Sequence, residues 1–123
     1  MIIEKIYLLS TNSFSKCVEE WAANASVQSQ RLSIKKQNIE DLIDGVVVFH
    51  ENFNKHKNIE ELVENLVQLN RPSHRVDING TMVATKSNFE MWMERNQIRN
   101  LLILGDDQLP KNTKFKSFLL NLN

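Results

Sequence analysis

The sequence predicts an α/β domain of three layers built on a mainly parallel sheet, and three observations carry that expectation. Strand-like runs of four to seven residues alternate with stretches of helical periodicity along the whole chain. Two of the runs, Val46 to Phe49 and Leu101 to Leu104, are apolar without interruption, the pattern of strands covered by helices on both faces. At 123 residues the chain can bury a sufficient core without disulfides or metal.

Each element follows in order. "IIEKIYLLS" is the first strand. Phe14, Cys17, Val18, Trp21, Ala22 and Ala25 then recur at helical spacing, behind an asparagine and serines that can cap a helix. "QRLSIKK" alternates Leu32 and Ile34 with polar residues, as an edge strand does. Asn38 and Asp41 suggest a short capped helical turn. "DGVVVFH" is expected mid-sheet. Asn58 and Glu61 form a variant capping box before a helix with Ile59, Leu62, Val63, Leu66 and Val67 on its buried stripe, which Arg71-Pro72 ends. "NLLILG" is the last strand, and Thr113 caps a final helix with Phe115, Phe118, Leu119 and Leu122 inward.

The stretch "HRVDINGTMVATK", residues 74 to 86, admits two readings. Asn79-Gly80 between alternating runs predicts a two-residue type I′ hairpin over residues 75–84, pairing Val76 with Val83 and Ile78 with Thr81. Ser87 and Glu90 would then cap the next helix. Alternatively, Asn79-Gly80-Thr81 closes a parallel strand and leads directly into a longer helix, with Phe89, Trp92 and Met93 inward. Under both readings the strand containing Arg75, Asp77 and Asn79 has one wet face and lies at a sheet edge.

Fifteen basic residues balance fifteen acidic ones, so no overall field draws the chain to nucleic acid or an anionic membrane. Cys17 stands alone, which excludes an intrachain disulfide or a cysteine metal cluster and fits a reducing cytoplasm. The apolar N-terminal run is interrupted by Glu4 and Lys5 and falls far short of the roughly 20 residues of a membrane span. With three glycines, two prolines and no repeat, nothing resembles a linker, and residues 1–123 are expected to form one domain.

Ligands of open parallel sheets bind beyond the carboxyl ends of the strands, so candidate site residues are sought there. Ser10, Thr11, Asn12, Ser13 and Ser15 follow the first strand at the mouth of a helix whose N–H groups favour an anion. They resemble the hydroxyl-rich phosphate loop of flavodoxins, without its glycine; serial helix caps are the plainer explanation. His50 and Glu51 follow the central strand, where His50 is placed to act as a general base; Thr81 contributes a further hydroxyl. His56 and His74 are too scattered to form a metal trio with His50. Asp106-Asp107 has oxygens suited to Mg²⁺, yet such a pair after glycine reads as a turn. Cys17, on an apolar stripe, reads as a small buried hydrophobe. No catalytic set, metal site or cofactor is expected.

"NGTMVATK" resembles the second hairpin of thioredoxins, over eight residues and without Cys-x-x-Cys. In element order and size the whole chain resembles receiver domains. Where that family carries acidic residues, a phospho-acceptor aspartate, a hydroxyl and a lysine, this chain has Ser10-Thr11, Phe49-His50, Thr81 and Gly105-Asp106. Only the hydroxyl is kept, which implies a receiver-like scaffold without aspartyl phosphorylation. The expected function is therefore a non-catalytic cytoplasmic interaction or regulatory module. Its partner is expected to be a protein or a second copy, engaged through Arg75, Asp77, Met82 and Met91. The alternative is a small-ligand or nucleotide-binding enzyme using the residues at the carboxyl ends of the strands.

Overall fold

The computed structural model describes residues 3–9, 12–32, 38–51 and 56–122. Five strands form one sheet: β1 (Lys5–Leu8), β2 (Gln28–Arg31), β3 (Gly45–His50), β4 (Ser73–Asp77) and β5 (Asn100–Gly105). Four helices accompany them: α1 (Ser13–Asn24), α2 (Lys57–Gln68), α3 (Met82–Arg95) and α4 (Thr113–Leu120), with 3₁₀ turns at Ile39–Asp41 and Leu109–Lys111. Every strand pairing is parallel, in the order β2-β1-β5-β3-β4.

The layering follows from handedness. The units β1-α1-β2 and β3-α2-β4 run outward in opposite directions from the middle of the sheet, and right-handed crossovers then place α1 and α2 on opposite faces. The return from β4 to β5 brings α3 to the face of α1. That face holds Phe14, Trp21, Phe89, Trp92, Phe115 and Phe118 over Leu8, Phe49 and Ile103, while the other packs Val63 and Leu66 of α2 onto Val46, Val48, Leu102 and Leu104. The result is a three-layer, flavodoxin-like α/β architecture. Its strand order differs from the 2-1-3-4-5 of flavodoxin because the last strand is inserted between the first and third.

The predicted hairpin over residues 75–84 is not formed. β4 ends at Asp77 and α3 begins at Met82. Asp77 makes the turn: its carboxylate accepts the Asn79 N–H (3.0 Å) and its carbonyl accepts that of Gly80 (3.0 Å). Neither Asn79 nor Gly80 takes the positive φ that a type I′ turn requires. The strand is nonetheless at the sheet edge, as is β2.

Several local expectations shift. β2 begins at Gln28, ahead of the predicted run, and Ile34 lies outside the described residues. α2 starts one residue before Asn58, so the Asn58–Glu61 capping box is not used, and Val67 is 48% exposed rather than inward. Ser87 is inside α3, its hydroxyl 3.9 Å from Met91 Sδ, while Asn112 rather than Thr113 caps α4 through the Lys114 N–H (2.9 Å). Phe115, Phe118, Leu119 and Leu122 are buried as predicted. No helix among the described residues is long and apolar enough to cross a membrane.

Candidate functional site

The insertion of β5 places Gly105-Asp106-Asp107 at the centre of the carboxyl edge, between the ends of β1 and β3. β1 leads away to one side and β3 to the other, so this is the topological switch point of the sheet. Gly105 is required for close packing there: a Cβ on it would lie 2.6 Å from Phe14 Cζ and 2.8 Å from Leu109 Cδ1.

The two aspartates have different work. Asp107 crosses to α1, where its carboxylate accepts the Ser13 N–H at 2.7 Å, and Asn12 Oδ1 accepts the Ser15 N–H at 3.0 Å. Two of the N–H groups that would begin a phosphate cradle are thus bonded within the chain, and a carboxylate already complements the helix dipole. Ser13 is exposed, whereas Ser15 is 1% exposed and belongs to the interior. Ser10 and Thr11 lie outside the described residues.

Asp106 faces α2, with its Oδ1 3.7 Å from His56 Nε2. Together with His50, Glu51, Gln108 and Leu109 these two line a cleft of about 200 Å³ between β5 and β3. His50 is only 5% exposed, and its carbonyl accepts the Ile78 N–H (3.0 Å), tying β3 to the end of β4. On the β1 side of β5, a second cleft of about 200 Å³ is mostly apolar, with Leu9, Ile59, Leu62 and Leu104 among its walls and Asn12 and Asn58 beside them.

The remaining predicted residues lie apart from these clefts. Thr81 precedes α3 as its N-cap residue without a side-chain capping bond. Asn79 Oδ1 accepts from Asn112 Nδ2 (3.0 Å), joining the loop before α3 to the start of α4. Arg75 is exposed and ion-paired with Glu60 of α2. Met82 packs partly against the core and Met91 is 52% exposed. Cys17 is half-buried, and burial pushes its thiol pKa up, away from nucleophilic character. Among the described residues no three or more His, Cys, Asp or Glu side chains are grouped to hold a metal ion.

A wider depression of about 610 Å³ lies at the opposite, amino end of the sheet, lined by Asp44, Gln97, Arg99 and Asn100 among others. The Asp44 carboxylate there accepts the backbone N–H groups of Arg99 (3.0 Å) and Asn100 (2.8 Å), which fixes the start of β5. The Asp44 carboxylate is thus spent on the fold.

His56, Asp106 and Asp107 are what sequence reasoning set aside. Their only signal was the position of Asp106-Asp107 after an uninterrupted apolar strand. That strand had to be placed centrally before the pair could be brought to α1 and α2.

No protein-family profile and no curated protein matches the sequence. Among solved structures, the fold is similar to that of a proposed molybdenum carrier protein from Syntrophus aciditrophicus. The TM-score is 0.68 over 98% of this chain and 92% of that one, at 16% identity. At that identity the likeness is one of fold.

Proposed function

We propose that this chain is a non-catalytic interaction or regulatory module of the cytoplasm that acts as a homodimer. The observation that carries the reading is the closure of the α1 N-terminus by Asp107 and Asn12, which fills with the protein's own oxygens the place where such folds hold phosphate groups. The association surface is the β4 edge with the outer face of α3, where Val83 is 78% and Met91 52% exposed. With a formal net charge of zero, little long-range repulsion keeps copies apart. Light scattering over a concentration series is expected to give a dimer, and Val83→Glu with Met91→Glu to return it to monomer. A wild-type monomer at all concentrations would overturn the reading.

A second reading, small-ligand binding at the carboxyl edge, is favoured by the cleft lined by His50, Glu51, His56 and Asp106. The description of the structural neighbour as a molybdenum carrier makes molybdate a natural probe. An oxyanion would meet the carboxylates of Glu51, Asp106 and Asp107 at this edge, so calorimetric titration with molybdate, phosphate or ATP is expected to give no binding heat.

A further inference from the structure

We infer that Asn79 is a site of spontaneous deamidation, and that the fold restrains the reaction through hydrogen bonds at the turn from β4 to α3. The chemistry begins with sequence. Of the asparagines in the chain, Asn79 alone is followed by glycine, whose missing side chain leaves the backbone free to turn and its nitrogen open to close approach. In the reaction the Gly80 amide gives up its proton to hydroxide, and its nitrogen attacks Asn79 Cγ. The new N–Cγ bond closes a five-membered imide as the Cγ–Nδ2 bond breaks, and the departing nitrogen takes a proton from water and leaves as ammonia. Water then opens the imide at either carbonyl, giving aspartate or isoaspartate. Water and its hydroxide are the only co-reactants.

The structure shows how these atoms are held. Gly80 is exposed, so water reaches it. Its N–H donates to the Asp77 carbonyl at 3.0 Å, which keeps on the nitrogen the proton that the attack has to remove. The Asn79 N–H is held by the Asp77 carboxylate (3.0 Å), and Asn79 Oδ1 accepts from Asn112 Nδ2 (3.0 Å). The carboxamide is thus tied to the start of α4 and is not free to swing over the Gly80 nitrogen. Asn112 is itself fixed, because its Oδ1 accepts the Lys114 N–H at 2.9 Å as the cap of α4. Attack therefore requires the turn to open locally. The two products differ in what they leave behind: aspartate retains an oxygen for the bond from Asn112, whereas isoaspartate adds a methylene to the backbone inside the turn that Asp77 closes. The second product loosens the junction of β4 and α3.

The test incubates the full chain at mildly alkaline pH, folded and in guanidinium, and reads conversion at Asn79 by peptide mass spectrometry. In guanidinium Asn79 is expected to convert ahead of every other asparagine, and Gly80→Ala to slow it. In the folded protein conversion is expected to be at least about tenfold slower, the scale of two net hydrogen bonds. Asn112→Ser keeps a favoured capping residue on α4 but removes the amide donor. It is expected to speed conversion in the folded protein about fivefold, the scale of one such bond, with hydrogen exchange of the Gly80 amide rising in step. Asn112→Thr serves if Asn112→Ser does not fold. Earlier conversion of another asparagine in guanidinium would overturn the site. Equal rates in the folded and unfolded chains would overturn the restraint by the fold, and a wild-type rate in the folded Asn112 variant would overturn the part assigned to Asn112.

Discussion

The two faces of the sheet are built from different materials. Under α1, α3 and α4 the packing is aromatic, and Phe49 is its hub: its ring centroid lies 5.3 Å from Phe115, 5.5 Å from Phe118 and 6.4 Å from both Phe14 and Phe89. Under α2 it is largely aliphatic, with valines, leucines and isoleucines joined by Tyr7. Three helices arriving from separate points leave gaps between them, and large rings reach across such gaps from one strand residue. A single helix lying along the sheet needs only the short side chains that a strand already carries. One face is thus a network with a centre, the other a layer without one.

The largest expected effect breaks that comparison at its hub. Phe49→Ala, at a residue 1% exposed, should cost about 3–5 kcal/mol, because the cavity it leaves is walled by rings held on three helices that cannot all close in. Its neighbour Val48, 3% exposed on the other face, should cost roughly 1.5–2.5 kcal/mol as Val48→Ala, at about 0.8 kcal/mol per carbon removed plus a small cavity. Urea midpoints at equal slope measure both. Equal losses would show that the aromatic face has no hub.

This asymmetry was only half legible in the sequence. Helical spacing alone placed Phe14, Phe89, Trp92, Phe115 and Phe118 inward, since periodicity reports the buried side of an element. It could not report that these rings share one face, because that depends on crossover direction and on β5 entering between β1 and β3. The same gap hid the candidate site: His56 and Asp106 are fifty residues apart in sequence and meet only once β5 lies beside β3. The Asn79-Gly80 hairpin failed for a local reason. The Asp77 side chain offered the backbone an Asx turn, which leads into a helix without positive φ.

A smaller effect probes the rim of the aromatic face. His74 of β4 stacks on Trp92 (5.3 Å, 22°) and Phe89 (5.9 Å, 29°), and burial pushes its pKa below the usual histidine value. Because the folded state holds this proton less tightly than the unfolded chain does, the unfolded state binds more protons as acid is added. The stability contributed by neutral His74 is complete above the unfolded pKa near 6.5 and is lost as pH falls through the lower folded value. The slope cannot exceed the one-proton limit of about 1.4 kcal/mol per pH unit. His74→Phe should keep the stacking and flatten the stability profile below about pH 6.5; an unchanged profile would place the proton uptake elsewhere.

The smallest effect concerns helix ends, where the two faces are expected to behave alike. α1, α2 and α3 all end in Schellman motifs: Val27 N–H bonds to Ala22 C=O (2.8 Å), Arg71 to Leu66 (2.9 Å) and Ile98 to Met93 (2.9 Å). The left-handed residue of each is Ser26, Asn70 or Gln97, at φ of 59°, 66° and 53°. Serine and glutamine are strained there, while asparagine tolerates the conformation through local hydrogen bonding. Ser26→Gly and Gln97→Gly should therefore each stabilise by roughly 0.5–1 kcal/mol, the relief of strain exceeding the entropy glycine adds to the unfolded chain. Asn70→Gly should gain less. Since Asn70 is also the motif on the aliphatic face, Ser26→Asn and Gln97→Asn separate the two causes. Thermal melts showing part of the glycine gain in both would assign it to the residue's backbone preference. No gain from asparagine on the aromatic face would mean that the packing beneath each helix, and not its terminal residue, sets the strain.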